Sequence, residues 1–152
     1  MGGYRLEKGG LINRDKPVAF SFNGRKLSGF EGDSIASALL AGNVRQVGRS
    51  FKYHRLRGVM SAGPEEGGAL FNVNDGAKRI ANVKGTMAEL RPDIQVYAQN
   101  AYPGIRFDIG AINSLFAPFL SVGFYYKTFM GPMRSTSFWM FCEHFIRKAA
   151  CL

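Results

Sequence analysis

Val18-Ala19-Phe20-Ser21-Phe22-Asn23-Gly24-Arg25-Lys26-Leu27-Ser28-Gly29-Phe30-Glu31-Gly32-Asp33-Ser34-Ile35-Ala36-Ser37-Ala38-Leu39-Leu40-Ala41 carries the fold signal of this sequence. Residues 18–22 alternate apolar with small or polar side chains, the period of a half-buried strand. Asn23-Gly24 follows, a strong hairpin signal, because a two-residue turn that matches strand twist needs positive φ at both positions. Residues 25–30 are then the return strand. Glu31-Gly32-Asp33-Ser34 opens a helix, with Asp33 or Ser34 as N-cap. Ile35, Ala38 and Leu39, at i, i+3 and i+4, form its inner stripe. Gly42-Asn43 closes it with residues that tolerate the left-handed conformation.

Outward from this unit, residues 44–64 form a basic loop. Residues 69–73 read as another strand, Asn74-Asp75-Gly76 as a turn, and residues 81–83 and 95–98 as further strands. Hairpin, helix, long loop and more strands predict an α+β domain in which one helix packs across a small mixed sheet. That order suits a ubiquitin-like β-grasp. Further on, residues 108–116 predict a short helix ended by Pro118. Residues 124–130 are aromatic and irregular, and Gly131-Pro132 closes them. Ser135 or Ser137 caps a final helix running to about Ala150. Phe138, Phe141, Cys142, Phe145 and Ala149 make its apolar stripe, and Glu143 with Arg147 is an i,i+4 ion pair.

The chain has 152 residues, 20 Lys+Arg against 11 Asp+Glu, a net charge of +9, 46% hydrophobic and 20% charged residues. This is an ordinary globular balance, and it excludes wholesale disorder. The charge is unevenly placed. Residues 1–103 hold 9 of the 20 aromatics and 24 of the 31 charges, while residues 104–152 hold 11 aromatics and 7 charges. The expected organisation is a compact domain over 1–103 and an aromatic-rich docking arm over 104–152, ending in a helix. The most apolar stretch, residues 115–126, is interrupted by Pro118, Ser121 and Gly123 and is too short to span a bilayer. The N-terminus lacks a signal-peptide apolar core. The 2 cysteines, Cys142 and Cys151, make no disulfide framework. On one helix they would be separated by about 13.5 Å of rise and lie on opposite sides. A cytoplasmic protein with reduced thiols is the expectation.

Arg45, Arg49, Lys52, Arg55 and Arg57 place five charges in thirteen residues, interleaved with Phe51, Tyr53 and His54. No acid occurs between Asp33 and Glu65. Such a loop suits an anion or an acidic interface, and Arg49, Lys52 and Arg57 are the candidates. A grip on single-stranded nucleic acid, with aromatics stacking on bases, is the alternative. The remaining chemistry is thin. His54 and His144 have no neighbouring Cys or His at zinc-ligand spacing. Ser50 and Ser61 lack a triad pattern. Neither a GxGxxG nor a P-loop motif is present. No catalytic residue, no metal site and no activity of this chain by itself are expected.

Two stretches carry a resemblance. One is Gly32 through Ala41, leading into Val47-Gly48-Arg49-Ser50-Phe51-Lys52-Tyr53-His54-Arg55 and Arg57-Gly58-Val59-Met60-Ser61-Ala62-Gly63. The other is Gly123-Phe124-Tyr125-Tyr126-Lys127-Thr128-Phe129. Together they resemble the N-terminal portion of the alpha subunit of heterotetrameric sarcosine oxidase. That resemblance implies a ferredoxin-like domain that has lost its [2Fe–2S] cluster. It also implies a dinucleotide-binding domain to follow, and a complete complex using FAD, FMN, NAD and tetrahydrofolate. The implied reaction oxidises sarcosine to glycine by hydride transfer to flavin and passes the one-carbon unit to tetrahydrofolate. The implied partners are the rest of the alpha subunit and the other subunits, with neither membrane nor nucleic acid. This chain would be their scaffold or interface segment. Leu56 departs from the proline the family pattern has between Arg55 and Arg57. A cluster of this kind needs four thiolates, three of them close together in one loop, and residues 49–62 contain no cysteine.

Overall fold

The computed structural model describes residues 5–118 and 136–149. The expected aromatic run 124–130, its Gly131-Pro132 closure, a Ser135 cap and Cys151 lie outside the described residues.

The first hairpin pairs β1 (Asn13–Phe22) with β2 (Arg25–Glu31). Asn23 has φ 47° and Gly24 φ 80°, so the turn has the left-handed pair its sequence demands. Val18, Phe20 and Phe22 are buried on one face of β1. The strand starts five residues earlier than the alternation suggests. Its pairing slips between Asn13 and Pro17, and Pro17 has no N–H to donate, so the regular period begins only at Val18.

Helix α1 (Ile35–Ala41) begins at Ser34, whose hydroxyl accepts the Ser37 N–H while the Ser37 hydroxyl accepts the Ser34 N–H. Ile35, Ala38 and Leu39 face the core as the stripe predicts. Asp33 is buried beside this cap. It accepts a two-pronged bond from Arg5 (3.1 and 2.6 Å), the Phe30 N–H and the Ser37 hydroxyl. Gly29 of β2 lets the helix come close, since a Cβ there would stand 2.5 Å from Leu90 Cδ2 and 2.9 Å from Ala38 Cβ.

Beyond the helix come the short strands β3 (Gly48–Arg49) and β4 (Leu56–Arg57), then β5 (Leu70–Asn74), β6 (Arg79–Lys84) and β7 (Gln95–Ala98). The main sheet runs β2-β1-β7-β5-β6, with β1 and β7 parallel and the other pairs antiparallel. A first hairpin, a helix over the sheet and a last strand slotted parallel beside the first make the mixed five-stranded β-grasp. Phe71 on β5 meets Phe22 edge-on with ring centres 5.9 Å apart, in a core shared with Leu39, Val47, Leu90 and Val96.

The short helix expected over 108–116 forms as a 3-10 helix, Ile109–Ser114, capped by Asp108 and ended before Pro118. Helix α2 (Thr136–Ala149) matches the expected final helix, with Glu143 and Arg147 paired at 3.6 Å. Phe138, Phe141 and Phe145 are exposed on it.

Candidate functional site

The basic loop is folded by its own backbone. Val47 N–H donates to Arg57 O, and β3 pairs with β4. Ser50 N–H donates to Arg55 O, and His54 N–H to Ser50 O, with His54 at φ 52°. This small hairpin rests against the main sheet where Arg49 N–H reaches Gln99 O. The sequence shows no period here because each strand is two residues long.

The structure separates the three candidate cations. Arg49 points inward. Its guanidinium donates to Ile105 O (2.9 and 2.6 Å) and His54 O (2.6 Å) and lies 3.5 Å from Asp108. Lys52 and Arg55 both lie over the Tyr53 ring, at 4.8 and 4.9 Å from its centre. Arg57 is exposed on β4. It borders, with Arg49, a cleft of about 590 Å³ that also holds Met60, Ser61, Glu65 and Glu66. Lys52 does not line that cleft.

Two acids that the sequence reading passed over organise the region. Asp108 is buried and accepts from His54 Nδ1 (2.7 Å), Tyr102 N–H (3.0 Å) and Gly110 N–H (3.2 Å). Burial pushes its carboxyl up, but the Tyr102 amide, the His54 ring and the Gly110 amide outweigh this and hold it below the ordinary carboxylate value. Gly110 carries no side chain because a Cβ would overlap the His54 ring. Arg49, His54 and Asp108 therefore pin residues 102–110 to the loop. His54 lies 54 residues from Asp108. The local signal for Asp108 was its place as the first residue of the predicted helix 108–116.

Glu66 is the second. It is 2% exposed, and its carboxylate accepts the backbone N–H groups of Met60 (2.6 Å), Ser61 (2.6 Å) and Gly68. Burial again raises its pKa, and the amides of Ser61, Gly68 and Met60 pull it below the usual value. Convergent amides of this kind form an anion cradle; here the chain supplies its own anion.

A family model described as a 2Fe-2S iron-sulfur cluster binding domain matches residues 15–101, and the chain belongs to that family. The resemblance read from the motifs holds as well. Along its whole length the chain is 49% identical, over 153 aligned positions, to sarcosine oxidase subunit alpha of Rhizobium meliloti (strain 1021), covering 15% of that protein. It is 43% identical over 79 residues to sarcosine oxidase subunit alpha of Corynebacterium sp. (strain U-96), covering 52% of this chain and 8% of that one. The chain thus spans a small part of the curated relatives it matches. Among solved structures, L-proline dehydrogenase from P.horikoshii is similar at 24% identity and a TM-score of 0.48, over 60% of this chain and 17% of that chain. The nucleic-acid alternative gains no support from these relatives.

The residues present do not fit the family's cluster. The matched span 15–101 contains no cysteine, and four thiolates are required. Among the described residues, no group of three or more His, Cys, Asp or Glu side chains could hold a metal ion. In the loop, an acid collects amides of residues 60–68 instead. No helix among the described residues is long and apolar enough to cross a membrane.

Proposed function

We propose that this chain is a cluster-free β-grasp segment that serves as scaffold and interface in a flavin-dependent sarcosine oxidase. The reaction of the complete complex is the oxidative demethylation of sarcosine to glycine, with the one-carbon unit passed to tetrahydrofolate. FAD, FMN, NAD and tetrahydrofolate would be held elsewhere in that complex, and catalytic groups would come from its other parts. The observation that carries this reading is the 49% identity along the whole chain to a sarcosine oxidase alpha subunit. The absence of cysteine from 15–101 argues for scaffolding over electron transfer. Residues 1–103 act as the β-grasp body and 104–152 as the docking arm. Ile109, Ile112, Leu115 and Phe116, exposed at 61, 56, 75 and 53%, supply the arm with an apolar surface suited to a partner. Arg57 and Lys52 stand as interface candidates, with Arg49 positioning the segment beside them. The cytoplasm is the compartment proposed.

The test is affinity purification of the tagged chain from its host. Co-purification of flavin-containing subunits, with sarcosine-dependent peroxide production in the eluate, is expected. Recovery of the chain without any flavoprotein overturns the reading.

A further inference from the structure

A second cleft, of about 890 Å³, shares no lining residue with the first. It lies between the β1–β2 turn, the end of α1 and residues 103–107. Three arginines line it, Arg25, Arg45 and Arg106, and each is exposed. Among the described residues that line it there is no carboxylate, whereas the first cleft contains Glu65 and Glu66.

The polar groups beside the arginines are fixed by backbone. Asn23 and Asn43 both sit in the left-handed region, at φ 47° and 60°. The Asn23 carboxamide oxygen accepts the Ala98 N–H at 2.9 Å, which leaves the NH2 end as donor. The carbonyls of Ala38, Leu39 and Leu40, which would repel an anion at a helix end, accept from Gly42, Val44 and Asn43. The far wall is held as well. Arg49 grips Ile105 O, Gly104 N–H donates to Phe107 O, and Asp108 anchors the residues on either side. Phe107, 72% exposed, presents an aromatic ring at the rim.

We propose that this cleft binds a nucleoside phosphate. The guanidinium groups of Arg25, Arg45 and Arg106 take the phosphate oxygens, and the base lies against Phe107. Guanidinium matches phosphate geometry through paired N–H donors. The size is that of a small-molecule site. An acidic protein segment would also seek positive charge, but it has no use for the exposed ring at the rim. The site is independent of the proposed scaffold role, so either reading can fail while the other stands.

Isothermal titration of the full chain with inorganic pyrophosphate and with ADP tests it. Both ligands should bind, ADP more tightly, with each of Arg25→Gln and Arg106→Gln weakening both about tenfold. Phe107→Ala should abolish the advantage of ADP over pyrophosphate. The distant pair Lys78→Gln and Arg79→Gln should leave both affinities within about twofold, which separates a built site from general charge attraction. Circular dichroism checks that each variant folds, and all the replaced side chains are exposed. Affinity for pyrophosphate that survives R25Q and R106Q overturns the proposal. So does ADP binding no tighter than pyrophosphate, or a poly-glutamate peptide that outcompetes both.

Discussion

Replacing Glu66 tests whether its carboxylate is the internal anion on which the loop closes. In Glu66→Ala, the N–H groups of Met60, Ser61 and Gly68 and the Ser61 hydroxyl lose their common acceptor. An unsatisfied buried donor costs about 1–3 kcal/mol. Ser61, Glu66 and Gly68 line the first cleft, so water can reach part of the vacated space and offset some of that cost. We expect a net loss of about 3–4 kcal/mol, a large share of the roughly 5–15 kcal/mol of a typical domain. Glu66→Gln keeps one carbonyl oxygen for Met60 and Ser61 but turns its NH2 toward the Gly68 N–H. It should cost about 2 kcal/mol. Glu65→Ala, an exposed neighbour, should stay within about 0.5 kcal/mol. Urea unfolding followed by circular dichroism gives the three values. Amide exchange should quicken at Met60, Ser61 and Gly68 in both Glu66 variants before it quickens in α1. A loss below about 0.5 kcal/mol for Glu66→Ala would refute the cradle, because an anion that holds three amides cannot be removed at the cost of a surface residue.

Acid should destabilise the chain chiefly through three buried groups. Asp33, Glu66 and Asp108 all have lowered pKa values in the fold, so their contribution is complete above the unfolded carboxylate range, about pH 4 to 4.5. It is lost as pH falls through the lower folded values. The urea midpoint should drop on acidification below about pH 4, and less steeply in Glu66→Gln; a midpoint flat down to about pH 2.5 contradicts the assignment. Gly29→Ala should cost about 1–3 kcal/mol, read by thermal unfolding, because Leu90 and Ala38 must give way to the new methyl. Arg49→Gln should speed amide exchange across residues 104–108 while leaving α1 protected, since Ile105 O loses its charged donors. Protein purified after growth in iron-replete medium should contain neither iron nor labile sulfide, and stoichiometric amounts of both would contradict the reading of residues 15–101.

The legible features of this sequence were those whose cause is local. Alternation exposed the buried face of β1, Asn23-Gly24 named its turn, and Ser34 with Ser37 closed the cap that the helix start implied. Features set by distant partners were not legible. The Gly48–Arg49 and Leu56–Arg57 strands are too short to show a period and exist because Val47 is buried and Arg49 reaches Gln99. His54 looked like a loop residue until residues 102–110 brought Asp108 to it. Glu65 and Glu66 are adjacent and chemically identical, yet one is exposed and the other buried. The candidate cations were chosen by density along the chain, whereas the second cleft draws Arg25, Arg45 and Arg106 from three segments. Charge clustering in sequence and charge convergence in space are separate properties, and only the first can be counted without a fold.

The distribution of buried charge explains why so basic a chain keeps an open face of arginines. Asp33 is matched by Arg5 and Asp108 by Arg49, two pairs withdrawn from the surface with equal numbers of each sign. Glu66 is different, because backbone amides compensate it and no cation is used. Among the described residues the interior thus removes three carboxylates but two arginines from the exposed charge. Among the described residues the exposed charge is therefore one unit more positive than the total. Where such charge gathers without acids, as around Arg25, Arg45 and Arg106, a field builds that draws anions in and repels cations. Among the described residues that line the cleft none is acidic, so a negatively charged ligand or partner would add the countercharge there.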